Sequence, residues 1–198
     1  MTAAIAKGPT DTPLLEETIG DNLDATVARF PDREALVVPH QDIRQTWSEF
    51  SVTVDAVAKG LMGTGVAKGD RVGMWSPNYA EWVYIQYATA KVGAIQVNIN
   101  PAYRTTELEY ALKQSGCRML VTRSEYLMSA YREMVEEVQD SLPDLVDVVY
   151  FDTDDWAALI AAGNSVSDAD LAERAKSLDT HDAINIQFTS GTTGAPKG

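Results

Sequence analysis

The most informative stretch of this chain is its last, Gln187-Phe-Thr-Ser-Gly-Thr-Thr-Gly-Ala-Pro-Lys-Gly198. Hydroxyl and glycine residues follow one another here, and a lysine comes directly after a proline. Glycines let backbone N–H groups approach an anion, and Ser and Thr hydroxyls add hydrogen-bond donors. Lys197 adds a compact positive charge. The stretch therefore predicts a loop that binds a polyphosphate.

Two alternatives to this interpretation are a Walker A loop and a plain flexible turn. Counted from Gly191, a Walker A loop requires glycine where Pro196 stands and Ser or Thr where Gly198 stands. A GTPase or P-loop ATPase is therefore disfavoured. A plain turn does not require an unbroken run of hydroxyl and glycine residues before Pro-Lys, so we prefer the polyphosphate interpretation.

The residues before this loop predict a strand, because Ile184, Ile186 and Phe188 alternate with Asn185 and Gln187. Further strands are predicted at 34–38, 71–75, 95–99, 119–122 and 146–151. Helices are predicted at 14–30, 47–61, 78–92, 106–115, 125–140, 154–162 and 167–177. This alternation predicts an α/β fold, a doubly wound and mostly parallel sheet with helices on both faces. In such sheets ligands bind beyond the carboxyl ends of the strands.

Local signals predict where several elements begin and end. Asn78 with Glu81, and Thr106 with Glu109, have the spacing of a capping box at a helix start. Gly93 and Gly116 are predicted to end the same two helices. Residues 1–13 are small and polar with two prolines, and they are interpreted as a disordered lead-in.

Composition excludes several classes of protein. The formal net charge of −13 over 198 residues disfavours a nucleic-acid partner and docking on anionic membrane. One cysteine, Cys117, cannot form an internal disulfide and is expected to be structural, in keeping with a cytoplasmic location. No signal peptide or membrane span is recognised, since Lys91 interrupts the most apolar region.

The remaining candidate residues receive structural interpretations. His40 and His181 lack partners at metal-ligand spacing, so no metal site is predicted. Tyr103 and Arg104 follow a predicted strand, and we favour a loop anchor over a functional contact. Three aromatic residues are assigned to the core: Trp75, Trp82 and Tyr84.

The segment Thr189–Gly198 resembles the AMP-binding signature of the adenylate-forming enzymes, and every signature position is matched. The resemblance extends upstream through 69–78 and 93–104 and covers residues from about 15 to 198. Within it, 98–104 is most similar to medium- and long-chain fatty-acyl-CoA synthetases. The resemblance implies that 14–198 is a partial N-terminal AMP-binding (adenylation) domain, truncated after the phosphate-binding loop.

The resemblance also implies the chemistry. ATP, with Mg²⁺, activates a carboxylic acid as an acyl-adenylate, which is then transferred to CoA. The residues implied to hold the β- and γ-phosphates are Thr189, Ser190, Gly191, Thr192, Thr193, Gly194 and Lys197. The family's catalytic lysine lies downstream, so no catalytic residue is assigned here and this piece is expected to be inactive alone.

Alternatives remain open at this point. The acid is expected to be a fatty acid, but an aryl, amino or short-chain acid would require the same loop. A non-catalytic protein of 198 residues that binds nucleotide or a partner is a different class of answer. The oligomeric state is also open, with a homodimer among the options.

Overall fold

The computed structural model describes residues 7–189 and 197–198. Its helices are α1 (Ile19–Arg29), α2 (Trp47–Gly63), α3 (Ala80–Val92), α4 (Thr105–Ser115), α5 (Tyr131–Gln139), α6 (Asp154–Ala162) and α7 (Asp168–Lys176). Its strands are β1 (Glu34–Val38), β2 (Ile43–Thr46), β3 (Arg71–Trp75), β4 (Ile95–Ile99), β5 (Met119–Thr122), β6 (Asp147–Tyr150) and β7 (Asn185–Gln187). Two short 3₁₀ helices cover Pro39–Gln41 and Gly163–Ser165.

Five strands form one parallel sheet in the order β6-β5-β3-β4-β7. The chain moves from β3 to its neighbour β4, returns past β3 to β5, and continues outward to β6. This reversal makes the sheet doubly wound and places a topological switch point between β3 and β5. The predicted fold class is confirmed.

Two apolar clusters cover the two faces of this sheet. The larger one packs α1, α2, α3, α6 and α7 against side chains such as Val72 and Met74. The second packs α4 and α5 against Val97, Ile99 and Leu120. Because successive side chains of a strand point to opposite faces, Ile186 and Phe188 join the second cluster, and Asn185 and Gln187 face the other side.

Helix α1 begins at Ile19, so its predicted start at residue 14 is wrong. Thr18 is the N-cap residue, and its hydroxyl accepts a hydrogen bond from Asp21 N at 3.1 Å while the Asp21 carboxylate completes a capping box. Leu14 and Leu15 are 89% and 79% exposed. The apolar pair that suggested an earlier start therefore contributes nothing to the buried face of the helix.

The capping residue predicted for α3 is wrong as well. Tyr79 is the N-cap residue, and its side chain makes no capping hydrogen bond. Instead Gln41, from the first 3₁₀ helix, accepts a hydrogen bond from Ala80 N at 2.7 Å and donates one to the Glu81 carboxylate at 2.9 Å. A distant side chain thus replaces the local capping box.

Helix α4 starts one residue before the predicted Thr106. Its capping contact runs from Arg104 N to the Glu107 carboxylate at 3.2 Å. Glu109, the predicted capping partner, instead accepts a hydrogen bond from Ser141 Oγ at 2.7 Å.

The predicted start of α5 at residue 125 is wrong because a tight turn precedes the helix. Tyr126 and Ser129 exchange two backbone hydrogen bonds of 2.9 Å, and Leu127 has a φ of +53°. Strand β6 also begins one residue later than predicted and ends one earlier.

Sequence reasoning missed β2, which pairs antiparallel with β1 in a separate two-stranded sheet. Its sequence, Ile-Arg-Gln-Thr, holds a single apolar residue and therefore gave little signal of a strand. Gly93 and Gly116 close their helices as predicted, with φ values of +74° and +60°. Both values lie in the left-handed region that favours glycine at a helix end.

Candidate functional site

The candidate site lies at the edge of the sheet where the carboxyl ends of all five parallel strands meet. Strand β7 delivers Thr189 to this edge, next to the end of β4. Directly after β7, the Phe188 ring packs edge-on against Tyr110 of α4, with the ring centroids 6.3 Å apart. The last apolar side chain before the loop therefore anchors the point where the loop begins.

Thr189 and Lys197 are directly bridged. Thr189 N donates to the Lys197 carbonyl at 2.8 Å, and Lys197 N donates to the Thr189 carbonyl at 3.0 Å. The Thr189 hydroxyl also donates to the Lys197 carbonyl at 3.3 Å. The two ends of the predicted phosphate-binding loop are thus held side by side.

These two are the only predicted site residues that fall within the described part of the chain. The other five, Ser190, Gly191, Thr192, Thr193 and Gly194, lie outside the described residues, and their roles stay predictions.

Gly198 has a packing role that sequence reasoning missed. A Cβ atom at this position would lie 2.9 Å from Phe188 Cε1 and 3.0 Å from Ile186 Cγ2. After the bridge, the chain therefore passes directly against the apolar side of β7. Only a glycine makes this close approach without displacing the Phe188 ring.

Lys197 is exposed and forms no ion pair with any carboxylate within 7–189. The chain as a whole carries a formal charge of −13, and Lys197 adds a positive charge at the carboxyl edge of the sheet. An ammonium group in this position can pair with a ligand anion.

Sequence reasoning also missed the polar partners of β7. Asn98 Nδ2 donates to Gln187 Oε1 at 2.9 Å, and Gln96 Nε2 donates to Asn98 Oδ1 at 2.6 Å. The available signal was the alternation of amides with apolar residues in both strands, which served only to predict the strands.

A concavity of about 410 Å³ lies at the same edge of the sheet, near the switch point between β3 and β5. Its lining residues are His40, Pro77, Asn78, Tyr79, Pro101 and Tyr126. Beside it the Arg123 guanidinium lies 4.4 Å from the centre of the Tyr79 ring and pairs with Asp152 at 3.4 Å. Asp152 is partly buried, which alone would raise its pKa, but hydrogen bonds from Ser124 outweigh this and the pKa is lowered.

Tyr103 and Arg104 behave as anchors, as predicted. Arg104 caps α4 and donates from Nη1 to Ser129 Oγ at 2.8 Å. Tyr103 packs against the second apolar cluster, and burial followed by the charge of Glu107 raises the pKa of its phenol. Both residues therefore hold the loop after β4 against its neighbours.

The core assignments hold for Trp75 and Tyr84, which are 0% and 5% exposed, and Trp82 is partly buried. Trp75 stacks on Tyr131 at 3.8 Å, and its indole N–H donates to the Asn100 carbonyl at 3.0 Å. The Tyr131 hydroxyl donates to the Pro101 carbonyl at 2.7 Å. This pair fixes the carboxyl end of β4.

Cys117 is buried, and burial raises the pKa of its thiol to about 11. A thiol kept protonated is a poor nucleophile, which agrees with the structural role predicted for it.

His181 is exposed and contacts Asp179 at 2.9 Å. Across 7–189 and 197–198, no three His, Cys, Asp or Glu side chains gather in a geometry for holding a metal ion.

The family model described as "AMP-binding enzyme" matches residues 23–198. That match includes the bridged loop and all five strands of the parallel sheet. The chain belongs to the AMP-binding enzyme family. The chain is 42% identical over 213 residues to the mitochondrial medium-chain acyl-CoA ligase ACSF2 of Mus musculus, covering 97% of this chain and 34% of the relative.

Two solved structures of CoA ligases share the fold. An anthranilate CoA ligase in complex with anthranoyl-AMP superposes with a TM-score of 0.70 at 26% identity, covering 94% of this chain and 35% of that one. A long-chain-fatty-acid-CoA ligase from Archaeoglobus fulgidus gives a TM-score of 0.76 at 23% identity, covering 98% and 38%. The described sheet therefore matches the N-terminal part of the adenylation domain.

The chain spans about a third of the length of the curated relatives it matches. None of its described helices is both long and apolar enough to cross a membrane. The relative just described is mitochondrial by name, and the cytoplasmic location expected from the sequence stays a prediction.

Proposed function

We propose that this chain supplies the ATP-phosphate loop of an acyl-CoA ligase that activates a fatty acid. The observation that carries the proposal is the Thr189–Lys197 bridge, which closes a fully matched AMP-binding signature at the carboxyl edge of the sheet. The bridge places an exposed lysine directly after a segment whose sequence is rich in hydroxyl and glycine residues.

In the proposed reaction, a carboxylate oxygen attacks the α-phosphorus of ATP, and pyrophosphate leaves. The thiol of CoA then attacks the acyl carbon, and AMP leaves. Negative charge grows on the departing pyrophosphate, so fixed donors stabilise the transition state more than the ground state. We assign this role to Thr189, Ser190, Thr192, Thr193 and Lys197, with Gly191 and Gly194 permitting close backbone approach.

Mg²⁺ would neutralise the same phosphates. The described residues contain no cluster of carboxylates or imidazoles for it, so the ion would be held mainly by ATP and by residues outside the described part of the chain.

The proposal that the acid is a fatty acid rests on the names of similar proteins. The mouse relative is named a medium-chain acyl-CoA ligase, whereas an anthranilate CoA ligase shares the same fold. The fold is thus compatible with aliphatic and aromatic acids, and the higher identity to the mouse relative favours an aliphatic one.

The test is a pyrophosphate-exchange assay on the polypeptide encoded by the intact gene, including any reading frame beyond the Gly198 codon. Medium- and long-chain fatty acids should support exchange, and benzoate, acetate and amino acids should support it at least tenfold less well. If an aryl or amino acid supports exchange instead, the proposed fatty-acid substrate is wrong, but the proposed adenylation reaction stands.

A matched pair of variants tests the loop itself. Thr193→Ala should lower the exchange rate about a hundredfold, the typical effect of removing one transition-state donor. Thr180→Ala, at an exposed threonine outside the loop, should leave the rate unchanged. Equal rates in the two variants would remove the loop from the mechanism.

A reading frame that stops at Gly198 would favour the non-catalytic alternative, in which the protein binds nucleotide without turning it over. Calorimetric titration with ATP and Mg²⁺ would then have to show binding without exchange activity.

A further inference from the structure

Three carboxamide side chains form a continuous hydrogen-bonded row across β4 and β7. Gln96 donates to Asn98 at 2.6 Å, and Asn98 donates to Gln187 at 2.9 Å. Gln96 and Asn98 share one face of β4, and Gln187 lies opposite Asn98 in the β4–β7 register. The row ends two residues before Thr189, where the bridged loop begins.

One carbonyl oxygen of this row is buried and has no hydrogen-bond partner among residues 7–189 and 197–198. Gln96 is 1% exposed, and its Oε1 atom accepts no hydrogen bond from the described residues. Such an atom typically costs about 1–3 kcal/mol, and neighbouring positions on this face hold Val72 and Met74. An apolar side chain would therefore suit stability better than Gln96, so the amide requires another explanation.

Strand β7 needs an additional determinant of its register. It has three residues and lies at one end of the sheet order, with β4 as its single neighbour. The run from Ile184 to Phe188 alternates apolar and amide residues, so a shift by two residues would keep every apolar side chain on the same face. Apolar burial therefore discriminates poorly between the two registers.

The amide row does discriminate between them. Only in the observed register does the long side chain of Gln187 lie opposite Asn98. A shift by two residues would place the shorter Asn185 or Thr189 there. It would also move the start of the loop by about 6.6 Å along the strand, far beyond the tolerance of a phosphate site.

We propose that Gln96, Asn98 and Gln187 are positioning residues, which fix the register of β7 on β4 and thereby the location of the phosphate-binding loop. The proposal rests on the proposed function for the role of the loop. The register itself does not depend on that function, and the two can be tested separately.

The test uses the apolar isosteres Asn98→Leu and Gln187→Met, alone and combined, in this 198-residue chain. The matched control is Asn185→Leu, which changes an amide on the same face of the same strand, outside the row. One measurement is hydrogen exchange of the Thr189 and Lys197 amides, which donate across the bridge. The other is the dissociation constant for inorganic tripolyphosphate with Mg²⁺.

Each single variant should speed exchange of both bridge amides and weaken tripolyphosphate binding by at least about fivefold, the effect of one net hydrogen bond. The double variant should be no worse than the single ones, because each already breaks the same row. Asn185→Leu should change neither quantity. The exchanged pair Asn98→Gln with Gln187→Asn, which keeps the summed side-chain length, should recover most of the loss.

A loss of thermal stability with unchanged exchange at Thr189 and Lys197 would overturn the proposal, and so would an equal effect of Asn185→Leu. If the unmodified chain fails to bind tripolyphosphate, the proposed function loses its support in this chain. The exchange measurement would still decide whether the row positions the bridge.

Discussion

Strands β3 and β7 belong to the same parallel sheet but differ in almost every physical respect. From Val72 to Trp75 every residue of β3 is buried, and the strand has hydrogen-bonded neighbours on both sides. In β7, Asn185 and Gln187 are exposed and the single neighbour is β4. The strand that supports the fold and the strand that carries the candidate site are therefore separate, which lets stability and ligand binding be altered independently.

The largest expected effect on stability is at the end of β3. Trp75→Ala would remove a fully buried indole, its stacking on Tyr131 and its hydrogen bond to the Asn100 carbonyl. Truncating a buried aromatic residue typically costs about 3–5 kcal/mol. Phe188→Ala, directly after the less buried β7, should cost about 1 kcal/mol. Guanidinium chloride unfolding of both variants measures the difference, and equal losses would contradict the contrast between the two strands.

The next largest effect is expected for Lys197→Ala, which should lower the rate of pyrophosphate exchange without changing stability. Lys197→Ala removes the exposed ammonium beside the bridge, so pyrophosphate exchange by the gene-encoded polypeptide should fall about a hundredfold, or about 3 kcal/mol in transition-state stabilisation. The unfolding midpoint should not change, because the side chain is exposed. Lys176→Ala, an exposed lysine at the end of α7, is the control and should change neither quantity. A midpoint lowered as much as by Trp75→Ala would make Lys197 structural.

The sequence predicted the buried central strands better than the starts of the helices. The reason is that the pattern of a strand lies in neighbouring residues, whereas the partner that caps a helix can lie far away in the sequence. Strand β3, at 71–75, and strand β4, at 95–99, are confirmed to the residue, because a continuous or alternating apolar pattern is written in adjacent residues. The helix starts were predicted less well. Helix α3 is capped by Gln41, which lies 39 residues before Ala80, and no local pattern contains that partner.

The candidate site shows the same division. The signature after β7 is contiguous, so its residue types identified the family from sequence alone. The Asn98–Gln187 hydrogen bond joins residues 89 positions apart, and the requirement for Gly198 arises from contact with Phe188 and Ile186. The first depends on the strand order and the second on where the chain returns to pack against β7, and the sequence pattern supplied neither.

A smaller effect is expected where α1 meets the larger apolar cluster, at Lys91. Its ammonium is buried and pairs with Asp24 at 3.0 Å and Asp55 at 2.7 Å. Burial acts to lower the pKa of Lys91, but hydrogen bonds with the two aspartates outweigh it, and the pKa is raised. Lys91→Met should cost about 2 kcal/mol, less than a fully buried pair, because both carboxylates remain partly exposed.

The pH dependence of this contribution has a definite sign. Because the folded-state pKa of Lys91 exceeds the ordinary lysine value of about 10.4, the stabilisation is fully present below that value. It is lost as the pH rises through the folded-state pKa. Unfolding measured from pH 8 to pH 11.5 should therefore show the difference between the unmodified chain and Lys91→Met shrinking at the alkaline end. If the difference in unfolding free energy instead grows at alkaline pH, Asp24 and Asp55 do not stabilise the charged form of Lys91.

The smallest expected effect is at Cys117, in the connection between α4 and β5. Because burial raises the pKa of this thiol to about 11, a maleimide at pH 8 should leave it unmodified in the folded chain and label it fully in urea. Cys117→Ala should change stability by about 1–2 kcal/mol at most. It should leave tripolyphosphate binding unaltered, since Cys117 lies before the amino end of β5, whereas the bridged loop follows the carboxyl end of β7. Rapid labelling in the folded state would show that the sheet opens near β5 as readily as it does at β7. The difference between β3 and β7 would then be a difference in solvent exposure and not in stability.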